Sequence, residues 1–252
     1  MIRLENVSLN LDGKQILDNV SLQINKGDIG VVIGPSGAGK SSILKMILGL
    51  WKPDSGCVTI DGIDICKLKE KDLLKIRRKM AIVFQGNALF DSLNVLENVG
   101  YFLYEQNELS KKEIEEKVAE VLKFVNMSGI EKLYPEQLSG GMKKRVAIAR
   151  ALVFDPEIIL YDEPSAGLDP INAKSILDLI KKLKSKCATS VVVTHIMNDA
   201  ISIGDQLTLV NDGVIVENGS VHDILSSNKK FVKDFFYEVF QDAELLKKEH
   251  LV

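Results

Sequence analysis

The chain has 252 residues, 46% of them hydrophobic and 27% charged, with a formal net charge of −3. That length holds one large α/β domain with room for a small appended subdomain. The slight acidic excess argues against nucleic acid as a partner, because phosphate neutralisation needs a basic surplus; no apolar run approaches the roughly 18–20 residues that cross a bilayer. Cys57, Cys66 and Cys187 are scattered and without CxxC spacing. They read as small buried hydrophobes in a reducing compartment, not as a disulfide framework or zinc site. The opening MIRLENVSL carries Arg3 and Glu5 within an alternating pattern. It reads as a first strand and not a signal peptide, so the expectation is a cytoplasmic protein.

Ile2, Leu4, Val7, Leu9 and Leu11 alternate with one break, Asp12-Gly13 is a turn, and 16–24 continue as a second strand. Residues 29–33 are a short apolar run ending at Gly34, as a buried parallel strand would be, and a helix is expected over 41–50. Residues 57–60 and 63–65 flank Asp61-Gly62 as a hairpin, and 80–84 form another buried strand. The stretch 94–155 is helix-rich. Within it, 111–126 places Ile114, Val118, Val121, Leu122 and Val125 at helical spacing, with Ser110 as N-cap and Glu113 three residues on. Buried strands return at 158–161 and 190–193, with a helix starting near Asp169 between them; 207–210 and 214–216 flank the Asp212-Gly213 turn. This order predicts an α/β fold with a parallel core sheet, an antiparallel β edge and an α-helical subdomain. In the tail, 229–252, Phe231, Phe235, Phe236, Val239 and Phe240 have helical spacing. Such a stripe suits packing on its own domain or docking on a partner.

Three segments carry chemistry. Gly34-Pro35-Ser36-Gly37-Ala38-Gly39-Lys40-Ser41 matches G-x-x-x-x-G-K-[ST] between a strand and a helix. Its glycines let backbone N–H groups turn around phosphate oxygens, and the helix that continues through Ser42 adds its positive end. Lys40 is expected on the terminal phosphates and the Ser41 hydroxyl on Mg²⁺. Second, the apolar run 158–161 ends in Asp162-Glu163. In a P-loop ATPase such a pair supplies a Mg²⁺-side carboxylate, Asp162, and a base for the attacking water, Glu163. Third, Ser139-Gly140-Gly141 opens a helix and is a second anion-receptive helix start. One ATP does not need two from a single chain, so a two-fold-related copy is expected to bring its Ser-Gly-Gly to the phosphate held by the first.

In this order the motifs resemble those of ABC transporter nucleotide-binding subunits: the Walker A loop at 34–41, a Q-loop glutamine Gln85, the signature 138–142, the Walker B strand 158–163, a D-loop 165–169 and a switch His195. The resemblance covers about residues 2–225. It implies a P-loop NTPase core, with 1–228 as the ATPase domain, a helical subdomain at about 87–155 and a helical tail at 229–252. It also implies that Gln85 senses Mg²⁺ and the γ-phosphate, that His195 holds the γ-phosphate and water, and that Asp169 touches the opposite copy's site. Two departures stand out. Leu11 occupies the region where the family usually stacks an aromatic on adenine, which implies either weaker base recognition or a base contact carried by Leu11 with packing against Ile16, and Met142 replaces the usual glutamine.

Leu138-Ser139-Gly140-Gly141-Met142, with the letters of 84–95, is similar to the ATPases of Mla-type, MCE-associated phospholipid transporters. That resemblance implies ATP and Mg²⁺ as cofactors, a homodimer, integral-membrane permease subunits, an MCE-domain lipid-binding partner and a place on the cytoplasmic face of the inner membrane. Rival expectations are another ABC importer, a translation or DNA-repair ATPase, and a scaffold ATPase for cluster assembly or cell division. The translation and repair class usually has paired domains or a coiled-coil insertion.

Overall fold

The computed structural model describes residues 1–184 and 188–237. In chain order these form β1 (Ile2–Leu11), β2 (Lys14–Ile24), β3 (Ile29–Ile33), α1 (Lys40–Ile47), β4 (Ser55–Ile60), β5 (Ile63–Asp64), α2 (Glu70–Arg77) and β6 (Met80–Val83). There follow α3 (Val95–Gln106), α4 (Lys111–Phe124), α5 (Gly140–Leu152), β7 (Ile158–Asp162), α6 (Pro170–Lys184) and β8 (Thr189–Thr194). The chain continues with α7 (Met197–Ile203), β9 (Gln206–Asn211), β10 (Val214–Gly219), α8 (Val221–Leu225) and α9 (Lys230–Phe235). Two units result, one of Met1–Leu73 with the chain from Val191, the other of Leu74–Ser190.

The first unit holds an antiparallel sheet in the order β2-β1-β4-β5. The break in the apolar alternation of β1 is a bulge: its register with β2 shifts between Leu4 and Val7. Asn6 takes the left-handed conformation there, at φ 49, and its N–H donates to the Ser21 hydroxyl at 2.8 Å. An asparagine suits this position because it tolerates left-handed backbone. In the same unit β3 pairs in parallel with β9, and β10 closes the edge antiparallel to β9. All five β3 residues are buried, which is why that stretch reads as an unbroken apolar run.

The second unit pairs β6 in parallel with β7, Met80 opposite Ile158 through Val83 opposite Tyr161. Its helices α3, α4 and α5 pack on one another, with Val99, Leu103, Ile114, Val118, Leu122, Val146 and Ile148 buried. The expected cap on α4 is present as a reciprocal box: the Glu113 N–H donates to Ser110 Oγ at 3.4 Å, and the Ser110 N–H donates to Glu113 Oε2 at 2.7 Å. Asn94 and Glu97 repeat the device on α3.

Several expectations shift. The helix after the glycine-rich loop runs 40–47 instead of 41–50 and ends at Gly49, where φ is 65. Phe84 leaves the strand and is exposed. Helix α2 has no counterpart in the sequence reading, since its only buried residue is Leu73 and no apolar stripe marks it. Cys57 and Cys66 are half-exposed instead of buried; Cys57 Sγ donates to Glu5 Oε2 at 3.3 Å. Partial desolvation, then the neighbouring Glu5 carboxylate, push the Cys57 thiol up. Cys187 lies outside the described residues. At the tail, α9 packs on α8 and β10, with Val232 and Phe236 buried, so this part of the stripe belongs to its own unit. Val239 and Phe240 lie outside the described residues.

Candidate nucleotide site

The glycine-rich loop belongs to the first unit. Gly39 is the N-cap of α1 at φ 100, and no side chain caps the helix. A Cβ at Gly39 would lie 2.6 Å from Leu17 Cδ2 and 2.9 Å from the Ile16 carbonyl, so both backbone angle and space demand glycine. Lys40 is only 7% exposed. Its ammonium donates to the carbonyls of Gly34 and Pro35, each at 2.8 Å. The lysine thus folds back over its own loop and sets a positive charge inside the turn. An ammonium set inside a turn of this kind is placed to meet phosphate oxygens. Ser36 and Gly37 at the loop tip and Ser41 on α1 are exposed, and Ala38 is buried.

Ile16 sits beside this loop, its carbonyl close to both Gly39 and Gly213, and the Asp18 N–H donates to the Gly213 carbonyl at 2.9 Å. Leu11 is half-exposed and pairs with Lys14 across the Asp12-Gly13 turn. His195 follows β8 directly and is exposed, and the turn after it is shaped by the Ile196 N–H donating to Thr194 Oγ1 at 3.0 Å.

The remaining candidates belong to the second unit. Strand β7 buries Ile158, Ile159, Leu160 and Tyr161 and delivers the half-buried Asp162 at its end. Burial raises the Tyr161 hydroxyl pKa, with Ser190 opposing. Glu163 is buried and adopts φ 50. Apart from glycine, asparagine and aspartate, the positive-φ positions among the described residues are Ala88 and Glu163. Local strain of this kind gathers at functional sites. The next two turns, closed by the Ala166 N–H on the Glu163 carbonyl and the Leu168 N–H on the Ser165 carbonyl, lead to Asp169.

Asp169 caps α6. Its carboxylate accepts the N–H groups of Ile171 and Asn172 at 3.1 and 3.0 Å and the Asn172 side-chain amide at 2.6 Å. These donors, the Asn172 backbone first, hold its carboxyl below the usual carboxylate range. Asn172 also abuts the signature, since a Cβ on Gly141 would come within 2.8 Å of Asn172 Oδ1. The two segments expected to meet a second copy therefore touch in one chain. Ser139 and Gly140 are exposed, and Ser139 Oγ accepts the Met142 N–H at 3.3 Å, so α5 is capped by its own residue. Ile171, on the first turn of α6, is 83% exposed.

Gln85 is exposed on the loop that leaves β6. Sequence reasoning missed what holds that loop. Lys144, 2% exposed, donates to the carbonyls of Phe84 at 3.3 Å and Gln85 at 2.9 Å. Arg150 donates to those of Asn87 at 2.9 Å and Ala88 at 2.6 Å. The fully buried Asn98 donates to the carbonyls of Phe90 and Leu93 and accepts the Phe90 N–H at 2.8 Å. Burial lowers the pKa of Lys144, against the pull of Asp162, and burial also lowers that of Arg150. The available signal was spacing: Lys144 falls on the helical face of Gly141, Ile148 and Ala151, all buried. A cleft of ≈ 280 Å³, lined by Val121, Phe124, Leu152, Ile159 and Leu183 among others, contains none of the residues expected to bind nucleotide or act in catalysis.

Comparison with known proteins identifies the family. The ABC transporter family profile matches residues 17–166. The intermembrane phospholipid transport system ATP-binding protein MlaF of Haemophilus influenzae is 37% identical over 236 residues, 93% of this chain and 89% of that protein. The methionine import ATP-binding protein MetN 1 of Oceanobacillus iheyensis is 40% identical over 257 residues, 99% of this chain and 76% of that protein. Among solved structures, the dimeric post-hydrolysis state of the ATP-binding cassette MJ0796, bound to ADP and Pi, superposes with a TM-score of 0.80 at 38% identity, covering 88% of this chain and 99% of that one. On the family match, the aligned relatives and the loop geometry together, the chain belongs to the ABC transporter family of ATP-hydrolysing subunits, which take ATP with Mg²⁺.

Proposed function

We propose that this chain powers phospholipid transport between envelope membranes, as a homodimer held at the cytoplasmic face of the inner membrane by permease subunits, with an MCE-domain lipid-binding partner. In this reading Gly34 to Ser42 wrap the triphosphate, Lys40 meets its terminal phosphates, and Leu11 and Ile16 contact the base. Ser41, Asp162 and Gln85 would hold Mg²⁺, whose chemistry is to offset charge on the phosphate oxygens. Glu163 orients and deprotonates the attacking water, and His195 steadies the γ-phosphate. The second copy brings Ser139, Gly140, Gly141 and Asp169. Catalysis is then mostly positioning and electrostatics.

The observation that carries the paired reading is the contact of Gly141 with Asn172, which joins the exposed Ser139-Gly140 start to the Asp169 cap and the protruding Ile171. An exposed apolar side chain beside an exposed helix start suits a surface that a second copy covers. For the permease, the exposed Phe84, Phe90 and Tyr101 lie on and beside the loop pinned by Asn98, with Phe90 and Tyr101 rings 4.8 Å apart. The phospholipid reading is supported by the likeness to MlaF and by the letters of 84–95 and 138–142. The 40% identity to MetN favours a second reading, an amino-acid importer.

Two measurements separate these. Glu163→Gln should retain Mg·ATP, lose about 10²–10⁴ in turnover and sediment as a dimer with ATP. A variant that binds ATP yet stays monomeric removes the paired site. The complex purified with its membrane partners, placed in liposomes, should move a fluorescent phospholipid with ATP. Stimulation of ATPase by methionine, with no lipid moved, would replace the substrate assignment.

A further inference from the structure

We propose that Lys144 and Arg150 are positioning residues that fasten the Gln85 loop to the signature helix, so that a displacement of that loop is delivered to Ser139-Gly140-Gly141 of the same chain. The inference rests on the roles given above to Gln85 and to the signature. Both residues lie on α5, whose first residue is Gly140. Six positions apart, they are separated by about 9 Å along the helix axis. Their four donated hydrogen bonds take the carbonyls of Phe84, Gln85, Asn87 and Ala88. A single attachment would leave the loop able to pivot, and two attachments spaced along a rigid helix prevent it.

Packing alone does not account for this lysine. A buried ammonium whose hydrogen bonds go to two backbone carbonyls is a poor source of stability, and an apolar side chain of similar volume fills such a site at lower desolvation cost. What the cation adds is grip on the loop main chain. Arg150 adds a planar fork, which a lysine cannot reproduce. The grip falls on backbone atoms, so it fixes the loop while the Gln85 side chain stays exposed. Asn87 and Ala88 are held in left-handed backbone at φ 63 and 50, which marks the segment as constrained by its surroundings.

In the paired reading, Gln85 senses the nucleotide of its own chain and the signature caps that of the other. The clamp therefore links the two sites, and it also gives a permease resting on the exposed Phe84 and Phe90 a route to the opposite nucleotide. The test uses the full chain carrying Lys144→Met, which preserves length and packing, and separately Arg150→Lys. Amide exchange at residues 84–90 should rise roughly tenfold in either variant without nucleotide, with thermal stability close to wild type. Turnover should fall roughly tenfold, KM for ATP should stay within about twofold, and the ATP dependence should lose cooperativity. Lys144→Arg should recover much of both readouts. Unchanged exchange would overturn the clamp, and faster exchange with unchanged turnover and cooperativity would overturn its coupling role. The exchange arm needs no ATP. A failure of the function itself, such as full turnover in Glu163→Gln, is thereby told apart from a failure of the clamp.

Discussion

The chain has two glycine-bearing helix starts, and they are built in opposite ways. At α1 the cap is Gly39, left-handed, with no side chain over the amides and with a buried lysine folded into the turn. At α5 the cap is Ser139, in extended backbone, with its own hydroxyl on the Met142 N–H. In the proposed reading the first start takes an outside anion, the triphosphate. The second is finished before any ligand arrives and lies on the exposed side of its unit. In the proposed reading one helix end grips the nucleotide and the other closes over it, and the difference in capping suits those two needs.

That contrast can be broken at either end. Lys40→Ala should raise the Kd for Mg·ATP about hundredfold or more, as loss of charge-assisted contacts to phosphate does. Equilibrium binding of a fluorescent ATP analogue measures it, and unchanged affinity would take the loop out of the site. Gly39→Ala forces a side chain into a φ 100 backbone against the Ile16 carbonyl. It should cost about 1–3 kcal/mol of stability in denaturant titrations, whereas Gly141→Ala meets only the movable Asn172 amide and should cost less. Ser139→Ala should cost about 1 kcal/mol through the lost cap, with a fall in turnover at the protein concentrations where dimers form. A Ser139→Ala chain weakened in ATP binding to the extent of Lys40→Ala would erase the distinction.

The smallest effect concerns pH. The folded pKa of Asp169 is depressed by its N–H donors, so its cap contributes stability above the unfolded carboxylate range. That contribution disappears as pH falls through the lower folded value. Thermal melts of wild type and Asp169→Asn should differ at neutral pH and converge in acid; a gap that widens in acid would contradict the assigned donors.

Much of this was legible in the letters because the physics is local. The Ser110–Glu113 box, the buried run of β3 and the β1 bulge each follow from a few adjacent side chains. The Lys40 turn and the Asp162-Glu163 strand end were legible for the same reason. Residues that act at long range stayed hidden. Lys144 and Arg150 lie beside a charged stretch that resembles a solvated face, and only folding brings the loop at 84–88 under them, some 60 positions away in sequence. Nothing local marks Asn98, whose amide satisfies the loop at 90–94 only in the folded chain. Helix α2 escaped because a helix with one buried residue has almost no periodicity to read. The half-exposed cysteines escaped because composition speaks to the average thiol and not to a particular edge of a sheet.

The left-handed backbone of Glu163 has a consequence for how such a chain can change over time. Glycine or asparagine would rest more comfortably in that conformation, so selection for robustness alone would drift toward them at this position. Neither brings a carboxylate, and aspartate brings one on a stem shorter by a methylene, so on the proposed role of Glu163 each such step would trade turnover for durability. A heat-hardened descendant that keeps its activity is therefore expected to have found its gains elsewhere, leaving this one uncomfortable residue untouched.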